Sequence, residues 1–305
     1  MEAWQINSAN IGVTTRCNLS CRHCFVSEKK DSRADRLSAN DWRGILRDLN
    51  ELGCFSLVYS FGESILDPGF YEVAEMARDM GFFQILMTNG KITVSHKDRL
   101  KKTGIKKLFF SLDSLDEEKH NYNRRDKDIY RNVVAAIKCF AGDPDFIAGI
   151  SFAYNRENAG EMREVVEFAA ANGVKEVSFM LERPNSDRPT DIVDFSEREF
   201  LEMLGVYADN AARVNINFHD PRLLRFARPG AFKNAMHGDR FIAMNSCKRF
   251  SGIITIAPNG DVYPCNFSKS PLGNLKESGL KRLIDSAERV QGAESADVCR
   301  AGEPL

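Results

Sequence analysis

The chain has 305 residues, is 43% hydrophobic and 28% charged, and carries 42 Lys and Arg against 43 Asp and Glu, for a formal net charge of -1. That length supports one large domain, or one with a small appendage, while the balanced charge and lack of a long Lys/Arg tract argue against an electrostatic nucleic-acid binder. The start, Met-Glu-Ala-Trp-Gln-Ile, is no signal peptide and no run approaches the length that spans a bilayer, so a cytoplasmic protein without membrane contact is expected. In such a compartment the eight cysteines are ligands or buried thiols rather than disulfide partners.

Short apolar runs alternate with amphipathic segments of helix length. Strands are expected at Ile11-Thr14, Phe55-Tyr59, Phe83-Met87, Lys107-Leu112, Ile147-Ala153 and Glu176-Met180. Helices are expected between them at Ala39-Leu52, Pro68-Met80, Ser95-Lys102, Ile129-Phe140 and Ala159-Ala171, and Gly53, Gly81, Gly104 and Gly173 stand where helices end. Successive β/α units require a parallel sheet, because parallel neighbours need a crossover. Six units are too few for a closed eight-stranded barrel. The fold class is therefore α/β, an open partial (β/α)6 TIM-like barrel over residues 1-182. Residues 183-246 form a bridging segment, and residues 247-305 a small C-terminal β-hairpin and helix domain.

Ligands of α/β sheets bind beyond the carboxyl ends of the strands, and the run Thr-Thr-Arg-Cys-Asn-Leu-Ser-Cys-Arg-His-Cys follows the first strand at that end. Cys17, Cys21 and Cys24 have a spacing that fits three corners of an iron-sulfur cube and leaves the fourth iron without a protein ligand. A zinc site wants four ligands, and only His23 sits nearby as a fourth. A thioredoxin-type pair needs two cysteines, not three.

This spacing resembles that of the radical S-adenosylmethionine (SAM) enzymes, whose motif is Cys, three residues, Cys, one residue, an aromatic, Cys, with His23 at the aromatic position. The resemblance implies a 4Fe-4S cluster whose open iron is chelated by the amino and carboxylate groups of SAM. It also implies reductive cleavage of SAM to a 5′-deoxyadenosyl radical, which takes a hydrogen atom from substrate, and a flavodoxin- or ferredoxin-type reductant. The partial barrel is the architecture these families share.

Several loops extend the resemblance. Ser60-Phe61-Gly62-Glu63-Ser64 is similar to the family's Gly-Gly-Glu-Pro motif, which receives the SAM amino group, with Phe61 in place of the first Gly and Ser64 of the Pro. Gly62 and Glu63 would keep that role, or form an ordinary strand-to-helix turn. Thr88-Asn89-Gly90 and Ser111-Leu112-Asp113-Ser114 match sequences that family members with an auxiliary domain carry at these places. Ser111 and Asp113 alternate with Leu112 and share a face, Ser111 being the implied ribose contact. Arg124 or Arg125 corresponds to the arginine that pairs with the SAM carboxylate; spacing does not decide between them, and both also fit solvated loop arginines.

A second set of thiols, Cys247, Cys265 and Cys299, lies past the barrel. Apolar alternation around Pro-Asn-Gly-Asp between the first two is a hairpin signature, which brings Cys247 and Cys265 together. With Leu272-Gly273-Asn274-Leu275 and a helix over Gly279-Ala287, this resembles the twitch or SPASM domain and implies an auxiliary iron-sulfur cluster. Such domains usually supply a Cys-x-x-Cys pair after that helix, whereas Cys299 is followed by Arg300, Ala301 and Gly302. The fourth ligand is then absent, a water, or an oxygen such as Glu303; without a cluster, Cys247 or Cys265 is a free thiol. Cys54 and Cys139 fit buried thiols. In the bridge, Arg222, Arg225 and Arg228 fall at helical spacing and could receive a carboxylate or phosphate, or form a solvated face. His219 and Asp220 are candidates for the substrate pocket.

The expected activity is that of a radical SAM oxidoreductase or epimerase acting on a small polar metabolite, sugar or aminocyclitol-like, oxidising it rather than epimerising it. Only about ten residues precede the first strand, too few for the leader-binding domain that peptide maturases often carry. The alternatives are a maturase that crosslinks or epimerises a ribosomal peptide and, of another class, a non-catalytic metal-binding scaffold.

Overall fold

The structure is a computed structural model that describes residues 6–24, 26, 36–182, 196, 198–199, 205, 213–219, 242–244, 252–266, 268 and 270–291. Cys247, Cys299, Glu303, Asp220, Arg222, Arg225 and Arg228 lie outside the described residues. Strands β1 (Ser8–Ile11), β2 (Ser56–Tyr59), β3 (Phe83–Thr88), β4 (Ile105–Ser111), β5 (Ile147–Tyr154) and β6 (Glu176–Leu181) are the six expected strands. The crossovers contain helices α1 (Ala39–Glu51), α2 (Pro68–Asp79), α3 (Lys97–Lys102), α4 (Glu117–Arg124), α5 (Ile129–Ala141) and α6 (Met162–Ala171). Then come β7 (Asn215–His219), β8 (Ile242–Met244), β9 (Ile253–Ile256), β10 (Asp261–Tyr263), β11 (Gly273–Asn274) and α7 (Leu280–Gln291).

Among the described residues, eleven strands join one open sheet in the order β11-β10-β9-β1-β2-β3-β4-β5-β6-β7-β8. From β1 to β8 every pairing is parallel, and β9 pairs in parallel with the other side of β1. Only β10 and β11 run antiparallel to their neighbours. The six β/α units of the sequence therefore stand, with two additions. β7 and β8 extend the sheet past Glu182, and the C-terminal hairpin adds to it directly beside β1.

Alternation decides which side chains hold the barrel together. Leu57, Tyr59, Leu86, Leu108, Phe110, Ile150, Phe152, Val177 and Phe179 occupy alternate strand positions and are fully buried. Tyr59 meets Phe70 of α2 edge-on at 5.0 Å and Phe110 meets Phe140 of α5 at 5.5 Å, so this face is the one the helices cover. The intervening positions are more polar: Ser111, Ser151, Ser178 and Asn217 are register partners across β4 to β7 on the opposite face. α1 begins in a capping box, with Ser38 and Asp41 exchanging backbone and side-chain hydrogen bonds.

Two local differences from the sequence reading have physical causes. The first strand, expected at Ile11-Thr14, lies at Ser8–Ile11, where buried Asn10 donates to Thr255 of β9 at 3.5 Å. A polar residue satisfied inside the sheet interrupts the apolar run that marks a strand. Helix α4 was not expected at all, because Glu-Glu-Lys-His-Asn-Tyr-Asn-Arg has no apolar stripe. It is capped by Asp116, whose carboxylate accepts from Lys119 N at 3.0 Å, and it buries His120, Asn123 and Arg124.

Candidate active site

The loop leaving β1 carries Cys17, which is exposed, and Cys21 and Cys24, which are partly buried. The β2 loop clamps its backbone. Gly62 has φ of 53°, and a Cβ there would stand 2.4 Å from the Arg16 carbonyl oxygen, so only glycine fits. Glu63 N donates to the same carbonyl at 2.8 Å, fixing the residue before Cys17. A turn closed by Cys24 N donating to Cys21 O at 3.3 Å holds the other two cysteines.

Although the residue is exposed as a whole, desolvation of its sulfur by the surrounding loops pushes the Cys17 thiol up to about 11, and Glu63, Cys21 and Cys24 add to the shift. Burial also raises Cys21, against the opposing effect of Arg124. The three thiols thus lie within electrostatic reach of one another. Among the described residues no group of three His, Cys, Asp or Glu converges as the ligands of a single ion do. A four-iron cube spreads its thiolates wider than one ion, and its irons supply the positive charge that drives such thiols to deprotonate. The donor set fits a cluster.

Glu63 is 1% exposed, and neutral donors hold its oxygens: Thr88 Oγ1 at 2.9 Å on Oε1 and Asn89 N at 2.8 Å on Oε2. Burial pushes its carboxyl up to about 7, with those donors and Arg124 opposing. A buried carboxylate poised near neutrality gains from an arriving cation, which is what the ammonium of SAM would bring. Asn89 connects this group to the cysteines, donating from Nδ2 to Asn18 Oδ1 at 2.8 Å and toward Cys17 Sγ at 3.7 Å. Gly90, at φ 83°, lets the β3 loop lie against Val133 of α5, where a Cβ would come within 2.8 Å.

One expected result follows for Glu63→Gln. The amide oxygen can keep the Asn89 N–H, and the amide NH2 can donate to a reoriented Thr88 hydroxyl, whose contact to Thr93 Oγ1 at 2.8 Å works in either direction. Because the folded value lies above the ordinary 4.5, the folded chain between those two values holds a proton that the unfolded chain releases. This group's contribution to stability therefore declines as pH rises through that window and is lowest above it. The variant should stabilise the SAM-free protein on the order of 2–3 kcal/mol at pH 8 and far less at pH 5, while weakening SAM binding. Melting curves at the two pH values check this; an equal shift at both would refute it.

The second anchor is Asp113, also 1% exposed. Arg124 donates to its Oδ2 from Nε at 2.7 Å and Nη2 at 2.6 Å, Ala153 N donates to Oδ1 at 3.1 Å, and His23 Nε2 lies 3.6 Å from Oδ2. Burial alone would raise Asp113, but the Arg124 guanidinium foremost, together with His23 and the Ala153 N–H, outweighs it and holds the carboxyl below its ordinary range. Arg124 in turn donates from Nη1 toward Cys21 Sγ at 3.8 Å. Burial disfavours its charge, yet Asp113 and Cys21 overcome this and raise its pKa. Arg125 takes the left-handed C-cap of α4 at φ 53° and is exposed, so the structure brings Arg124, not Arg125, to the cysteine loop. Ser111 ends β4 on the open face, partly buried beside its register partner Ser151.

Sequence reasoning missed His120 and Asn158. His120 Nδ1 accepts from Asp113 N at 3.2 Å, and burial drops its pKa to about 3, so the ring stays neutral. Asn158 Nδ2 donates to Asp113 O at 2.8 Å. Spacing offered one signal, since His120 and Arg124 are four apart and share a helix face. Of the second cysteine set, Cys265 is partly buried after β10, in the hairpin whose turn is closed by Ala257 N donating to Asp261 O at 2.8 Å.

The family model of the radical SAM superfamily matches residues 11–169, more than half of the chain. The chain belongs to the radical SAM superfamily. A second model, an iron-sulfur cluster-binding domain of the SPASM type, matches residues 247–301. This is accordingly a radical SAM enzyme that uses a 4Fe-4S cluster and SAM and carries a SPASM auxiliary iron-sulfur domain. It is 23% identical over 299 residues to an AdoMet-dependent heme synthase of Methanosarcina barkeri, covering 94% of this chain and 82% of that one. To the mycofactocin maturase MftC of Mycolicibacterium smegmatis it is 26% identical over 302 residues, 94% of this chain and 73% of that one. In structure it resembles SuiB of Streptococcus suis bound to S-adenosylmethionine, with a TM-score of 0.72 and 18% identity. That match covers 92% of this chain but only 65% of SuiB; SuiB has also been solved with its precursor peptide SuiA. Among the described residues no helix is long and apolar enough to cross a membrane.

Proposed function

We propose that Cys17, Cys21 and Cys24 hold the catalytic cluster and that this site cleaves SAM reductively to abstract a hydrogen atom from a carbon of the substrate. The observation that carries this reading is Glu63, a buried carboxylate clamped beside Cys17 by neutral donors alone. In it Glu63 receives the SAM amino group, with the backbone of Gly62 and Asn89 shaping the pocket, and Arg124 receives the SAM carboxylate. Asp113 orients Arg124, and Ser111 contacts the ribose. When bound, the cluster supplies the electron that splits the sulfonium, and a flavodoxin- or ferredoxin-type protein supplies that electron to it. The residues of this chain position the 5′-carbon and exclude water.

For the auxiliary domain, Cys247, Cys265 and Cys299 are the proposed ligands. The triple Cys17→Ala, Cys21→Ala, Cys24→Ala protein should then retain about four irons per chain after anaerobic reconstitution, the content of one cube. Iron and sulfide analysis checks this, and essentially iron-free protein would deny those thiols a cluster.

We read the substrate as a small molecule, by analogy with the heme synthase relative; a sugar or aminocyclitol draws no support from the relatives and is set aside. The maturase relative favours a second reading, a precursor peptide. In either case the proposed outcome is oxidation. Epimerisation needs a hydrogen donor on the opposite face, and neither Cys54, buried just before the amino end of β2, nor Cys139, in the last turn of α5, stands at a strand carboxyl end. A cluster held by Cys247, Cys265 and Cys299 would instead supply an acceptor for the surplus electron, and the proton would leave to solvent. A reaction run in deuterium oxide should give a product two mass units lighter than substrate, apart from exchange. An isomeric product with one stable deuterium would favour epimerisation by a thiol.

A further inference from the structure

Phe61, one of the two residues that depart from the family's loop, is fully buried at 0% exposure and packs outside the main core. Its cluster draws on two regions: Val26 and Cys24 from the cysteine loop, and Ala257 and Tyr263 from the hairpin. Gly12 makes the room, since a Cβ there would stand 2.7 Å from Phe61 Cγ and 2.8 Å from Pro258 Cδ. The backbone ties the same parts, with Gly12 N donating to Ile256 O at 2.8 Å and Leu37 N donating to Pro258 O at 2.8 Å. Two residues after Phe61 stands Glu63, and Gly62 between them is pressed onto the Arg16 carbonyl with no slack. Two residues after Tyr263 stands Cys265. In close packing of this kind a shift of the hairpin would press on the Phe61 ring, which packs against Cys24 and stands two residues from Glu63.

We propose that Phe61 is a positioning residue that couples the auxiliary hairpin to the SAM site, so that SAM affinity depends on the order of the hairpin. This rests on the assignment of Glu63 to the SAM amino group. The test is equilibrium dialysis of radiolabelled SAM against the anaerobically reconstituted full chain, without turnover, with iron content and melting temperature measured alongside. Phe61→Gly, which restores the family's residue, should weaken SAM on the order of tenfold, and Phe61→Leu should recover most of that. Cys265→Ser should weaken SAM by a comparable factor, and the Phe61→Gly, Cys265→Ser double variant should be no weaker than the worse single change. Phe140→Leu, in the helix-covered core, should lower the melting temperature while leaving SAM affinity within about twofold. Parental affinity in Phe61→Gly, or factors that multiply in the double variant, would overturn the coupling. Should the glycine variant not fold, Phe61→Ala, which also removes the ring, completes the same cycle with Cys265→Ser. A parent protein that loads its clusters yet binds no SAM overturns the functional reading itself, whereas a parent that binds SAM with independent variants overturns the coupling alone.

Discussion

Alanine at Cys17, Cys21 and Cys24 together is expected to reduce reductive cleavage of SAM under dithionite to background while the barrel stays folded. The two halves of this result have separate causes. In the proposed assignment cleavage fails because these three thiols would hold the cluster beside Glu63. The fold survives because Cys17 is exposed, Cys21 and Cys24 are half-buried, and of the three only Cys24 touches a buried apolar cluster, the small one around Phe61. The loop backbone is held instead by Glu63 N on Arg16 O and by Gly12 N on Ile256 O, neither of which needs a thiol. Exposed or half-buried positions typically cost within about 1 kcal/mol each when truncated. Chromatography of 5′-deoxyadenosine, with a melting curve of the same sample, checks both halves. Product at the parental rate would remove these cysteines from the chemistry.

Asp113→Asn is expected to be among the most damaging single changes. It leaves the Arg124 guanidinium buried without its counter-charge, a situation that costs about 3–5 kcal/mol. For a chain of this size that corresponds to a melting temperature lower by roughly 10 °C. The Ala153 N–H and the His23 contact are weakened as well. SAM binding should fall with stability, because Arg124 is aimed by Asp113. Adding Arg124→Met to Asp113→Asn should recover part of the stability and none of the SAM affinity, since an apolar replacement of similar length removes the stranded charge. The pH dependence has a definite sign. Asp113 is held below its ordinary value of 3.8, so its contribution is present above that value and is lost as pH falls through the lower folded one. A melting temperature for Asp113→Asn within about 2 °C of the parent would show that the pair carries little.

How far the sequence could be read depended on what each residue buries. Strands from β2 to β6 present a mostly apolar face to the helices, interrupted in β3 by the buried Gln84 and Thr88, and they were visible within a residue or two. β1 was displaced because Asn10 finds its partner on a strand 245 positions away, which no local pattern reports. α4 was invisible because the side chains it buries, His120, Asn123 and Arg124, are polar, and two of them, His120 and Arg124, bond to Asp113 rather than pack on an apolar neighbour. The same helix decides between Arg124 and Arg125, which spacing left open. The cysteine loop and Glu63 were legible because cofactor chemistry dictates residue type and order. The role of Phe61 was not, since a departure from a motif acquires meaning only when its packing partners are known.

The central claim is that this chain cleaves SAM at the cluster held by its first three cysteines. The most direct measurement is a single-vessel assay of the anaerobically reconstituted protein with SAM and dithionite, following 5′-deoxyadenosine and methionine together. The account predicts the two products in equal amounts, growing with protein concentration. Intact SAM in the presence of a fully loaded, fully reduced cluster would contradict it.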